Sequence, residues 1–298
     1  MQRYEHRFIA MGGPCQLRLD QDNESNALAA LDAAEQEVRR LEVKYSRYLE
    51  NSLTSRINHA AGNGEPVAVD AETAGILHYA DTLYQQSNGM FDLTAGVLRR
   101  AWNFKSGALP SQAEIDDLLP LIGWYDVQWN QQEILLPRAG MEIDFGGCVK
   151  EYAADSAAAV LRNHGIDHAL IDLAGDIAAV GAQASDQAWT IGIRQPNDPQ
   201  QAIAQVELAN AALASSGDYE RCITIKGVRY SHILDPHTGW PVQGLSAVSV
   251  IGEQCLVAGS TATLAMLKPA EQALDWLASL GLPWFACDMQ QQCHGTLQ

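Results

Sequence analysis

The stretch EILLPRAGMEIDFGGCVKEYAADSAAAVLRNHG, Glu133 to Gly165, reads as strand, turn, strand, glycine turn and then a helix ending at Gly165. HALIDLAGDIAAVG (168–181) follows as a strand with glycine breaks. AWTIGIRQP, AIAQVEL, AALASSGDY, SAVSVIG and WFACDM add strands, and RCITIKGVRYSHIL reads as a hairpin turning at Lys226-Gly227. Upstream, residues 5–19 alternate as a strand pair around MGGP. Leu28, Leu31, Val38, Leu41 and Tyr45 recur at helical spacing between Glu24 and Tyr45. SRYLENSLTSRIN then loops back as a polar stretch. A second helix over 71–87 is capped by Asp70 and ended by Asn88-Gly89, and a capping box from Ser111 to Glu114 opens a third, SQAEIDDLLPLIG. Further helices start near Gln254 and cover 270–280. Hairpins beside helices give an α+β fold rather than a strict βαβ alternation. With no repeat, low-complexity tract or long linker, the chain is expected to be a single large domain, 1–298, of mixed sheets with flanking helices.

The composition, 47% hydrophobic and 18% charged, is that of a soluble globular chain able to bury a core. A formal net charge of -17 argues against sequence-independent nucleic-acid binding and against docking on anionic lipid. It leaves room for an anionic ligand held by backbone N–H groups, a helix N-terminus or a metal ion. No run of apolar residues is long enough for a membrane span. The scattered cysteines 15, 148, 222, 255, 287 and 293 read as free thiols in a reducing compartment. With no signal peptide visible, a cytoplasmic protein is expected; export followed by removal of a leader is the alternative.

P-loop, GxGxxG, HExxH and GxSxG motifs are missing. Four constellations remain. In DFGGCVK, Gly146 and Gly147 let the backbone approach a ligand, the helix start suits a phosphate, and Lys150 adds charge. The same residues also read as a plain strand-to-helix turn. In LAGDIAAVG, Asp176 either reaches a ligand or belongs to a β-turn. SSGDYER and YSHILDPHTGWP are expected to place Asp218, His232 and Asp235 at the same end of a sheet; Asp-Pro and Thr-Gly are turn dipeptides, but the turn does not need His232 and Asp235. In VAGSTATLAML, the hydroxyls of Ser260, Thr261 and Thr263 either cap a helix or ligate a hard cation.

Taken in order, AMGGPCQL, YSRYLENSLTSRIN, GMFDLTAG, MEIDFGGCVKEYAAD, HALIDLAGDIAAVG, SSGDYER, YSHILDPHTGWPV and AGSTAT run over nearly the whole chain. Together they resemble the ApbE family of FAD:protein FMN transferases, with an architecture related to the T-fold. The resemblance implies cleavage of FAD, attachment of FMN to a threonine of an acceptor protein, release of AMP, and magnesium on the pyrophosphate. It assigns Met11, Tyr48, Met90, Phe91 and Asp92 to the flavin, Gly146, Lys150 and Tyr152 to the nucleotide, and His232 and Leu234 to the phosphates. His232 is the catalytic candidate, while Asp235 and Thr238 fix its turn. The metal would be held by the Val149 carbonyl and Thr263.

Two positions depart from the family pattern. Gly259 stands where an aspartate is expected, and Glu151 where a glycine follows the lysine. Magnesium normally takes one or two carboxylates, so Glu151 or Asp176 is expected to compensate. Three other readings stand beside the transferase: an FAD-binding protein without transfer activity, an FAD pyrophosphatase, and a metal-dependent hydrolase built on Asp144, Asp172, Asp176 and Asp235.

Overall fold

Gln2–Ala10 and Gly13–Gln21 form the hairpin that the alternation around MGGP predicts. Its turn places Met11 at φ 53° and Gly12 at φ 76°, the paired positive values a two-residue hairpin turn demands. The computed structural model describes residues 1–298 apart from 197, 220 and 298, so Glu220 of SSGDYER lies outside the described residues. No helix among the described residues is long and apolar enough to cross a membrane.

The α-helices are α1 (Glu24–Tyr45), α2 (Leu53–His59), α3 (Ala71–Gln86), α4 (Gln112–Asp116), α5 (Val149–Asn163), α6 (Cys255–Met266) and α7 (Ala270–Ser279). The fold is α+β. Chain contacts divide it into two compact units, the first comprising Met1–Val43, Cys148–Gly217 and Leu245–Gln298 and the second Lys44–Gly147 and Asp218–Gly244.

The first unit is built on an antiparallel sheet in which each strand pairs with the next one of that sheet in chain order. After the opening hairpin come Ala169–Leu173, Asp176–Val180, Ala212–Gly217, Leu245–Gly252, Trp284–Asp288 and Cys293–Gly295. The stretch read as one strand with glycine breaks is therefore a hairpin, turning at Ala174 (φ 57°) and Gly175 (φ 100°). Strands buried on both faces read as near-continuous apolar runs, as DIAAV and LSAVSVIG do. Helices α5 and α6 pack on these strands and on each other. The Asp155 carboxylate of α5 accepts the Cys255 and Leu256 N–H groups at 2.8 and 2.9 Å. It thereby caps α6, whose own Gln254 makes no side-chain cap. The buried stripe of α1 is set by Ala27, Ala30, Leu31, Ala34, Val38 and Leu41, and Leu28, expected on it, is exposed.

In the second unit, Leu98, Trp102 and Ile115 form a core flanked by Tyr230, Leu234 and Trp240. Three expectations change here. MEIDF is not a ladder strand: the Asn58 side chain takes both polar groups of Ile143, donating to its carbonyl at 3.0 Å and accepting its N–H at 2.7 Å. That asparagine sits on α2, a helix inside the stretch read as a polar loop, with Ser52 as its cap. The third helix keeps its capping box but stops at Asp116, and a 3-10 turn over Leu119–Leu121 carries Pro120, which lacks the N–H a longer helix would need.

Asp70 caps α3 by accepting Thr73 N–H at 3.0 Å, and it receives Lys44 Nζ at 2.6 Å. Burial pushes its carboxyl up, but hydrogen bonds from Lys44 and Thr73 outweigh this and hold it below the usual carboxylate range. Asp70→Ala is expected to cost about 1 kcal/mol at pH 7 in urea unfolding, chiefly through the lost cap, because an exposed ion pair adds little. A depressed folded-state value means this contribution is present above about pH 4 and fades as pH falls below it. The gap between wild type and Asp70→Ala should therefore narrow in acid.

Candidate functional site

The first turn of α5 carries Val149, Lys150, Glu151 and Tyr152. Lys150 Nζ reaches Asp176 Oδ2 at 2.8 Å, on a strand where Asp176 is only 2% exposed. Burial raises the Asp176 carboxyl above its ordinary range, and the Lys150 ammonium works against the rise. Glu151 is 7% exposed, and its Oε2 has no hydrogen-bond partner. Burial, then the charge of Asp176, pushes its carboxyl up to about 8.

Glu151 lies against Gly259. A Cβ built on Gly259 would stand 2.5 Å from Glu151 Cγ and 2.9 Å from its Oε1. The glutamate thus fills the space that a side chain at 259 would need. Thr263 is one turn further along α6, on the same face, and its hydroxyl lies 3.1 Å from Ser216 Oγ. The hydroxyls of Ser260, Thr261 and Thr263 do not cap α6, because Asp155 does so from another helix. Neither Asp155 nor Ser216 was singled out by sequence reading. No local pattern ties Asp155 to a helix start a hundred residues away.

At the opening hairpin of the same unit, Met11 N–H donates to Glu42 Oε1 at 2.6 Å. Beside it the Ala174 methyl crowds Gly13, where an added Cβ would sit 2.7 Å away.

In the second unit, Phe91 is buried and its ring backs Gly147, where an added Cβ would meet Phe91 Cε2 at 3.1 Å. Gly146 donates its N–H to Asp144 Oδ1 at 2.9 Å, and Arg47 Nη1 reaches Asp144 Oδ2 at 3.2 Å. Asp92 accepts the N–H groups of Thr94 and Trp124 at 2.7 and 3.1 Å. Burial raises the Asp92 carboxyl, and these bonds oppose the rise. Asp92 lines a cleft of about 250 Å3 with Tyr84, Gly89, Tyr125 and His237. Met90 and Tyr152 are half-buried, whereas Tyr48 is 77% exposed.

The crowded turn after Ser231 has a structural explanation for most of its residues. Asp235 Oδ1 accepts His237 N–H at 2.7 Å, and Thr238 Oγ1 accepts Trp240 N–H at 3.3 Å. Gly239, at φ 72°, gives its carbonyl to Trp102 Nε1 at 2.8 Å, and an added Cβ would strike Ile115 Cγ2 at 2.4 Å. Leu234 bridges Pro241. His232 leaves the strand Val228–Ser231 with its N–H on the Arg221 carbonyl at 2.9 Å, its side chain half-buried. Asp218 is paired with Arg229 Nη1 at 2.6 Å.

Each acid of the hydrolase constellation has a local partner. Asp172 accepts Gly175 N–H at 2.8 Å, and Asp144, Asp176 and Asp235 are engaged as described. Among the described residues, no three His, Cys, Asp or Glu side chains are grouped to hold a metal.

Gly259→Ala is expected to destabilise the fold by about 1–3 kcal/mol through overpacking against Glu151. In a Glu151→Ala background the same change should cost far less. Urea unfolding of the two single variants and the double variant gives the coupling directly.

The model of the ApbE family matches residues 11–285. An FAD:protein FMN transferase of Klebsiella pneumoniae (strain 342) is 30% identical over 259 residues, covering 85% of this chain and 78% of that protein. One from Treponema pallidum (strain Nichols) is 28% identical over 293 residues, covering 92% and 81%. Among solved structures, the ApbE protein of Thermotoga maritima superposes with a TM-score of 0.90 at 28% identity, covering 99% of this chain and 97% of that one.

Proposed function

This chain belongs to the ApbE family, and on that footing we propose that it is an FAD:protein FMN transferase. The observation that carries the reading is the family match along residues 11–285, together with relatives that carry out this transfer by name. The substrates are FAD and an acceptor protein presenting a threonine. The threonine hydroxyl oxygen bonds to the FMN-side phosphorus, the bridging P–O bond breaks, and AMP leaves with the electron pair while the hydroxyl proton is released. Such a reaction needs positioning and charge neutralisation more than covalent help from the protein.

The residue roles follow the motifs. Met11, Tyr48, Met90, Phe91 and Asp92 are proposed to contact the flavin part of FAD. Gly146, Lys150, Tyr152 and Leu234 are proposed to bind its nucleotide and phosphates. The bare backbone at Gly146 suits close approach of a phosphate oxygen. Lys150 contributes a positive charge whose position is set by Asp176. His232 is proposed to act at the pyrophosphate, moving the acceptor's proton in the transition state.

A divalent cation fits the residues of the first unit, because a buried carboxylate with an unpartnered oxygen, Glu151 Oε2, lies beside α6. The Val149 carbonyl and the Thr263 hydroxyl are the other proposed ligands. When bound, magnesium would neutralise pyrophosphate charge. A second reading, FAD binding without transfer, draws on Gly259, which offers no carboxylate of its own.

Incubation with FAD, with and without magnesium and a threonine-bearing acceptor peptide, separates these readings by chromatography. Transfer gives AMP and flavin on the peptide. Free FMN with AMP would indicate hydrolysis, and intact FAD co-eluting with the protein would indicate binding alone. His232→Ala is expected to lower the transfer rate by about a hundredfold or more with FAD affinity largely kept. A wild-type rate in that variant would overturn the assignment of His232.

A further inference from the structure

We infer that Glu151 supplies, from the first turn of α5, the carboxylate that binds a divalent cation beside α6, and that residue 259 is glycine because Glu151 occupies the space a side chain there would fill. The inference rests on the transferase reading for the nature of the substrate, but not for its own test.

Glu151 is buried with one oxygen unpartnered. A carboxylate oxygen kept in such a place without a hydrogen-bond donor is costly unless the group takes up a proton or a cation. A cation would neutralise it. Asp176 Oδ2 is likewise buried without a hydrogen-bond partner, but it faces the Lys150 ammonium at 2.8 Å. Asp155, one turn along α5, is committed to the start of α6. Glu151 is therefore the acid of this helix turn with unused capacity.

The position of the glycine points the same way. An aspartate at 259 would have to start from a Cβ only 2.5 Å from Glu151 Cγ, so Glu151 would have to move to admit it. One acid at either position delivers a carboxylate to the same region. Thr263, one turn on from Gly259, keeps its hydroxyl on that face near Ser216. A hard cation accepts this donor chemistry of carboxylate, hydroxyl and carbonyl oxygens. The longer glutamate side chain spans from α5 what a shorter aspartate would reach from α6.

The test is Mn2+ binding, read by the electron paramagnetic resonance of the free ion, with and without FAD. It compares wild type, Glu151→Gln, Asp176→Asn and the swap Glu151→Gly/Gly259→Asp. Glu151→Gln nearly preserves shape, and thermal unfolding confirms that each variant is folded before it is scored. Wild type is expected to bind Mn2+. Glu151→Gln should weaken binding by about tenfold or more, a loss that even a ligand's supporting partners produce. The swap should recover binding to within a few-fold of wild type.

Equal affinity in wild type and Glu151→Gln would overturn the inference, as would absence of Mn2+ binding by wild type under both conditions. Glu151-dependent Mn2+ binding without FMN transfer would support the inference while removing the transferase reading. Magnesium-dependent transfer with unchanged metal affinity in Glu151→Gln would do the reverse.

Discussion

The Asp155 carboxylate, accepting the Cys255 and Leu256 N–H groups, sets the register on which the first unit's candidate site depends. A helix start leaves its first N–H groups without intrahelical partners, and α6 has no capping side chain of its own. An acid supplied from α5 answers both the missing bonds and the positive end of the helix dipole. The bond also fixes which residues meet. One turn back from Asp155 on α5 is Glu151, and one turn on from Cys255 on α6 is Gly259. The contact between Glu151 and Gly259 follows from the cap rather than from any attraction between those two residues. Small side chains make the approach possible: Ala154 and Ala158 on α5, and Ala258 and Ala262 on α6, are all buried.

Close packing of this kind makes each buried acid expensive, and the three acids near α5 are maintained differently. Asp155 is satisfied by backbone donors, and Asp176 faces the charge of the Lys150 ammonium. Glu151 retains an unpartnered oxygen, and its carboxyl is pushed up by burial and by the neighbouring Asp176 charge. In a chain of net charge -17, an anionic substrate cannot rely on the general field of the protein. Its charge must be met locally, by a helix start, a lysine held in place, or a cation. The pair between half-buried Lys150 and buried Asp176 is a way of holding that lysine.

Much of the fold was legible because it is written locally. The alternation of the first twenty residues, the Asp70 cap, the capping box at Ser111 and the hairpin at Lys226-Gly227 all appear where the sequence puts them. Other features depend on distant residues. MEIDF has the composition of a strand, but Asn58 provides the hydrogen bonds that a neighbouring strand would have provided. The role of Asp155 carries no local signal, since its partners lie a hundred residues downstream. For the site, the residue types of the glycine turn and of the histidine turn were legible from their motifs. Their neighbours were not, because Phe91 behind Gly147 and Ile115 behind Gly239 are tertiary contacts.

That distinction changes how Gly259 and Glu151 are weighed. As positions in a sequence, a helix glycine and a helix acid more than a hundred residues apart are unrelated. As neighbours 2.5 Å apart at a Cβ that is not there, they constrain each other. A side chain at 259 would have to displace the glutamate, and losing the glutamate would leave a gap over the glycine. Burying an acid at this spot carries a desolvation cost that an apolar residue of the same volume would avoid. The unpartnered oxygen of that acid, between α5 and α6, is the feature on which the proposed cation site rests.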